Sequence, residues 1–332
     1  MRDRGLWHVI LGATAVRIGS KPVRLPRWGD SRRSLGCALL TIGIGAVSCT
    51  TPTPLGNYSA DRAADASRDN RKERTLLAYV GAASKPPTEE VAKLFERKTG
   101  IRVELVFGGS GYVLTQMKLA KQGDLYLPGS SDYMDRAKRD GDVYADSEKV
   151  IVYLVPAINV QRGNPKNVRT LHDLLRPGLR VAIADPERVC VGAYAVEIVE
   201  REFTPSQIAA FRRNLVNYAE SCEKTATAIS LKMADAVIGW SVFEHWDPKR
   251  IETVPLRPSQ IPRIGYIPIA ISRYTKQREI AQRFIDFITG PDGRRVFQKY
   301  HYMATAEEAA RWIGARKPIG GTYTVPARWI QR

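Results

Sequence analysis

From residue 76 onward the apolar positions switch repeatedly between a strand-like and a helix-like period. Residues 76–80 form a short apolar run, the pattern of a buried strand. Gly81-Ala82-Ala83-Ser84 reads as a turn, and Pro86-Pro87 suit a helix start, where a missing N–H costs nothing. Val91, Leu94, Phe95 and Lys98 trace that helix, which stops at Gly100. In residues 101–107 apolar and charged side chains alternate, predicting a second strand. Gly108-Gly109-Ser110-Gly111 then turns into a helix marked by Val113, Met117 and Ala120. A third strand spans 124–127, and Ser130-Ser131-Asp132 cap a helix carrying Tyr133, Met134 and Ala137.

The apolar run 149–155 ends at Pro156, where the pattern restarts. It predicts a short helix at 171–175, a strand at 179–184, helices at 193–202 and around Ile208, Phe211 and Leu215, and a strand at 216–218. A helix at 225–233 and a strand at 236–240 follow. Residues 264–272 mirror the run 149–155 and are placed to cross back to the first half. Ile280, Phe284, Phe287 and Ile288 define an amphipathic closing helix.

Alternating strands and helices predict an α/β fold with largely parallel sheets, arranged as two lobes joined by two extended crossings with a ligand cleft between them. The expected division is residues 75–155 plus 266–304 for lobe 1, 156–265 for lobe 2, and 305–332 as a C-terminal extension. Four turns each follow a strand and open a helix: Ala83-Ser84, Gly109-Ser110, residues 189–192, and Ser221-Cys222. Ligands of open α/β sheets sit beyond the carboxyl ends of the strands, so these turns should converge. The first N–H groups of a helix lack partners and carry partial positive charge, which makes each turn an anion site in waiting.

The N-terminal part has a different character. Ser31-Arg32-Arg33 precedes an apolar run over 35–47, the length of a signal-peptide core and too short for a membrane span. Residues 1–48 are therefore a signal region, with residues 1–22 suggesting that the start is placed too early. Ala46-Val47-Ser48-Cys49 places small residues ahead of a cysteine, as at a bacterial lipidation site, so Cys49 is the lipid-anchor candidate. Residues 49–74 are polar and form a flexible tether. Export leaves Cys190 and Cys222 beyond the tether in an oxidising compartment, where a disulfide between them is expected. A reactive thiolate at Cys222 and two plain buried thiols are the alternatives.

Of the 332 residues, 51 are Lys or Arg and 34 are Asp or Glu, a formal charge of +17. The basic residues are scattered and no zinc spacing or RNA-binding aromatic motif accompanies them, so the charge does not point to nucleic acid. Ser84, His172 and Asp185 lack the elbow motif of a catalytic triad, and no acid–base pair stands at a recognisable spacing. Trp240, Phe243 and Trp246 form an aromatic cluster, which is ordinarily core packing.

Taken in order, several segments resemble the molybdate-binding proteins of bacterial ABC importers, a branch of the type II periplasmic binding fold. They are Gly81-Ala82-Ala83-Ser84, Gly108 with Gly109, Ser110 and Gly111, Ser131-Asp132-Tyr133-Met134-Asp135, Asp185-Pro186-Glu187-Arg188-Val189 with Gly192-Ala193-Tyr194, Ala234-Asp235 through Trp240, and Phe284-Ile285-Asp286-Phe287-Ile288. The resemblance implies that Ser84 and Ser110 offer hydroxyl and backbone donors from one lobe, and Val191 and Cys222 backbone donors from the other. Trp240 stands where that family usually has a tyrosine. Cys190 replaces a frequent proline, and the loop after Ser84 is one residue shorter. The implied ligand is molybdate or tungstate, held by neutral donors without a cofactor or a direct cation ligand. The implied partners are an ABC permease and its ATPase, with the monomeric binding protein periplasmic or on the cell surface. The alternatives are another oxyanion, such as sulfate, thiosulfate or phosphate, and an exported thiol or serine enzyme.

Overall fold

The computed structural model describes residues 75–330, and the signal region, the tether and Cys49 lie outside the described residues. Ten strands form two five-stranded sheets. The first runs β2-β1-β3-β10-β4, from β1 (Thr75–Gly81), β2 (Arg102–Gly108), β3 (Leu125–Leu127), β4 (Lys149–Leu154) and β10 (Gly265–Ile271). The second runs β7-β6-β8-β5-β9, from β5 (Pro156–Gln161), β6 (Val181–Ala184), β7 (Leu215–Ala219), β8 (Ala236–Trp240) and β9 (Ile251–Val254). In each sheet three strands are parallel, while β10 and β4 in the first and β5 and β9 in the second add antiparallel pairs.

The helices fall largely where the periodicity places them: α1 (Lys85–Thr99), α2 (Ser110–Ala120), α3 (Ser131–Arg139), α4 (Cys190–Glu202), α5 (Pro205–Arg213) and α6 (Cys222–Ser230). They continue with α7 (Phe243–Trp246), α8 (Arg278–Thr289), α9 (Pro291–Lys299) and α10 (Ala306–Ile313). Pro86 and Pro87 sit in the first turn of α1, and Gly100 closes it at φ 71°, a conformation that favours glycine. Thr204 caps α5 by a reciprocal pair with Gln207.

Pro156 does not end the strand pattern; it opens β5. As the first residue of that strand it owes the ladder no N–H, and the chain runs straight from the edge of one sheet into the interior of the other. Strand β9, whose sequence Ile-Glu-Thr-Val is short and half polar, escapes the apolar pattern altogether.

The apolar core falls into two clusters, one on the first sheet that continues across the site into part of the second, and one confined largely to the second. In the first, Phe95 packs edge-on against Phe284 and Phe287, with ring centroids 5.1 and 5.2 Å apart. In the second, Phe211 lies against Trp329, whose side chain is 1% exposed although it stands close to the C-terminus. The chain beyond α10 returns along the crossing into β10: Ile264 N–H donates to the Pro318 carbonyl at 2.8 Å, and Gly320 N–H to the Ile264 carbonyl at 2.8 Å. The buried Arg263 guanidinium pairs with Glu197 at 2.8 Å, donates to the Gly321 carbonyl at 2.7 Å and lies 3.8 Å over the Tyr194 ring. Residues 305–330 are therefore packed into the second core.

Trp329→Ala should lower the stability of the protein by about 3–5 kcal/mol, the usual cost of emptying a large aromatic site in a core. Urea denaturation reads this directly. A change below about 1 kcal/mol would mean that the tail does not brace the second core.

Candidate anion-binding site

The four turns meet. Each occupies the carboxyl end of a strand and the first turn of a helix: Ser84 after β1, Ser110 after β2, Cys190 and Val191 at the start of α4, and Cys222 at the start of α6. A Cβ built on Gly129, just beyond β3, would lie 2.6 Å from Cys190 Sγ, 2.7 Å from Ala83 Cβ and 3.5 Å from Ser110 Oγ. Only glycine lets two turns of the first lobe and one of the second come together at that point. Gly109 has the same task, since a Cβ there would meet the Glu220 carbonyl at 2.7 Å and the Val189 side chain at 2.8 Å.

The lobes are closed on one another. Gly111 N–H donates to the Arg188 carbonyl at 2.9 Å, Tyr133 hydroxyl to the Glu187 carbonyl at 2.9 Å, and Lys85 pairs with Glu223 at 2.6 Å. Ser84, Ser110, Val191, Cys222 and Trp240 are all buried.

Both serines are held in a donating posture. Ser110 Oγ accepts from Gly129 N–H at 2.9 Å, and its carbonyl accepts from Tyr126 hydroxyl at 3.0 Å. Ser84 Oγ accepts from Thr88 hydroxyl at 3.0 Å. Each oxygen is thus occupied as an acceptor from its own lobe, which leaves its proton to donate. Among the described residues no acceptor meets the N–H of Ser110, Val191 or Cys222. The nearby basic groups are engaged elsewhere: Lys85 with Glu223, Arg188 with Asp185 and Glu187, and Arg263 with Glu197. The Asp132 carboxyl, its pKa pushed up by burial, accepts from the Ser130 hydroxyl and lies near enough to act on Cys190. The arrangement can hold a small anion by hydrogen bonds from neutral groups.

Two further donors stand at the end of β8. Trp240 Nε1 and the Tyr194 hydroxyl are buried without an oxygen or nitrogen partner, Trp240 facing the Cys190 thiol, and their rings meet edge to face at 4.9 Å. Buried polar atoms are seldom left unpaired, so both count as candidate ligand contacts. The sequence pointed to Trp240 as a contact but not to Tyr194, which it marked only as the end of the resembling segment Gly192-Ala193-Tyr194.

The expected disulfide is not what the structure shows. Cys190 and Cys222 are free thiols with their sulfurs 3.6 Å apart, well beyond a disulfide bond of about 2.05 Å. Each is fixed at the start of its own helix, and both are buried. Burial pushes the Cys190 thiol well above its ordinary 9.0, the neighbouring Cys222 adds to the shift, and Trp240 works against it. This thiol is neutral at physiological pH.

The aromatic cluster reaches the site from behind. Trp246 Nε1 donates to Tyr302 hydroxyl at 3.2 Å, and Tyr302 hydroxyl donates to the Ala83 carbonyl at 2.6 Å. Phe243 packs on Trp246 at 4.7 Å between centroids. The relay fixes the Ala83-Ser84 turn, and its second member lies 219 residues from the turn it holds. His172 packs on Phe203 at 5.3 Å, and among the described residues no three His, Cys, Asp or Glu side chains gather as metal ligands do.

Comparison with known proteins gives the family and the fold. Residues 76–303 match the family described as bacterial extracellular solute-binding protein. The molybdate-binding protein ModA of Mycobacterium tuberculosis is 22% identical over 280 residues, covering 82% of this chain and 97% of that one. Among solved structures, the sulfate-binding protein SubI of the same organism superposes with a TM-score of 0.64 at 16% identity, over 74% of this chain and 93% of that one. The periplasmic molybdate-binding protein of Azotobacter vinelandii gives 0.60 at 16% identity, over 69% and 99%. At these identities the two structures establish the two-lobed fold.

A raised thiol pKa has a consequence for stability. Above about pH 9 the unfolded chain releases the Cys190 proton while the native chain keeps it, so stability falls as pH rises. Urea midpoints at about pH 7.5 and about pH 9.5 should separate more for the wild type than for Cys190→Ala. Equal separations would show that the thiol is not held neutral by the fold.

Proposed function

The chain belongs to the bacterial extracellular solute-binding protein family, and from that premise we propose that it captures molybdate or tungstate for an ABC importer. The observation that carries the reading is the posture of Ser84 and Ser110, each accepting from its own lobe and free to donate into the cleft beside three N–H groups without acceptors. A fully deprotonated tetrahedral dianion presents acceptors only, which is what such a site can use. A protonated phosphate brings a donor as well, which the serines, already accepting from their own lobe, are poorly placed to receive.

The working step is closure. A ligand touching Ser84 and Ser110 on one side and Val191 and Cys222 on the other stabilises the closed lobes by its differential contacts, and no covalent chemistry is required. In this reading the apolar run over 35–47 directs export, and a lipid on Cys49 anchors the protein outside the cytoplasmic membrane, within reach of a permease and its ATPase.

Purified protein should gain thermal stability in micromolar molybdate or tungstate, because a ligand bound only by the native state stabilises it by mass action. Sulfate at equal concentration is the comparison that matters, since the sulfate-binding neighbour shares the fold. A shift with sulfate and none with either metal oxyanion would move the assignment to sulfate.

Ser110→Ala tests the site itself. It removes one hydroxyl and keeps the backbone of the turn. Hydrogen bonds to charged groups are worth about 1.5–3 kcal/mol, so calorimetry should show affinity for the metal oxyanion falling roughly 10- to 150-fold. Unchanged affinity would remove Ser110 from the ligand shell.

A further inference from the structure

The two thiols stand in the anion site without a role in the reading above. Neutral hydrogen-bond donation explains the serines and the helix starts, and a disulfide is absent. We propose that Cys190 and Cys222 make this pocket a second kind of binding site, one for a trivalent thiol-condensing oxo-acid, with arsenous acid as the simplest member.

Three observations carry the inference. First, the sulfurs are 3.6 Å apart, a non-bonded contact and the kind of separation that two sulfurs keep when they share one pyramidal atom. Second, each sulfur is anchored on a separate helix start, Cys190 on α4 and Cys222 on α6, so the pair is set by the fold rather than by a flexible loop. Third, Cys190 Sγ and Ser110 Oγ flank one backbone position: the point that a Gly129 Cβ would occupy is 2.6 Å from Cys190 Sγ and 3.5 Å from Ser110 Oγ.

The chemistry balances without an oxidant. Arsenous acid is As(OH)₃, uncharged at neutral pH, so its entry into a buried site of neutral groups carries no ionic desolvation cost. Each thiol sulfur bonds to arsenic and displaces one hydroxide, which leaves with the thiol proton as water. Two waters are released and arsenic stays trivalent. One hydroxyl remains on arsenic. Once the first sulfur has bonded, the second acts at an effective concentration fixed by the fold.

The inference uses the pocket of the proposed function but not its ligand, so the two fail separately. The experiment takes the full chain, reduced with a phosphine and then freed of reductant, and adds arsenite. Native mass spectrometry should show one adduct containing As–OH with the loss of two hydrogens, and a thiol assay should lose two groups. Cys190→Ser, Cys190→Ala and Cys222→Ser should each weaken binding by roughly 100-fold or more, since each leaves a single thiol in the pocket. Circular dichroism confirms that each variant is folded, and agreement between the Ser and Ala changes at Cys190 separates a lost sulfur from a disturbed core. Preloading with molybdate should block the adduct if both readings hold. An adduct on a protein whose melting does not respond to molybdate keeps this inference and discards the molybdate reading. Absence of an adduct on the folded wild type, an adduct that survives in all three variants, or one that forms only in denaturant overturns the inference.

Discussion

A helix leaves the N–H groups of its first turn without partners, and this fold places four such first turns around one point. The rest of the structure follows from satisfying that constraint. The parallel strands β1, β2, β6 and β7 end on the same side of their sheets, so the turns after them face the cleft. Glycine at 109 and 129 lets the turns approach closely enough to act on one ligand. The serines turn their protons outward because their oxygens are already occupied at home. The site is therefore prepared by backbone geometry before any ligand arrives, which limits what ordering must be supplied on binding.

Charge is handled by exclusion from the contacts. A basic protein could present lysine or arginine to an anion, yet Lys85 spends its charge on Glu223 across the lobes and Arg263 spends its own on Glu197. Ammonium and guanidinium groups would attract any anion of the right sign, whereas fixed neutral donors distinguish anions by size and protonation state. Lys85 and Glu223, both partly exposed, act on closure, and an exposed pair of this kind contributes modestly.

What the sequence discloses and what it conceals divide along the range of the interactions involved. The turns at Ser84 and Ser110 are legible because strand, glycine and helix signals lie within a few residues of one another. The start of α4 is legible for the same reason. Strand β5 is hidden because Pro156 looks like a stop, although at a strand's first position it is harmless. The tie from Trp246 through Tyr302 to Ala83 joins three distant segments and leaves no local trace. The tail is concealed likewise: nothing near Trp329 announces that Phe211 and Glu200 await it. For the cysteines, export argued for a bond, while the structure holds their sulfurs apart at 3.6 Å as free thiols.

In the proposed anion site Val191 offers only its backbone, and every amino acid except proline brings the same N–H to that position. The core of the anion site is therefore invisible to most substitutions, and a lineage could exchange the side chains around it without losing the platform. Selectivity is open to drift in a way that capture is not. The thiol at 190 and the indole at 240 stand at such exchangeable places, so a change of diet in this fold needs new side chains on old turns and no new architecture.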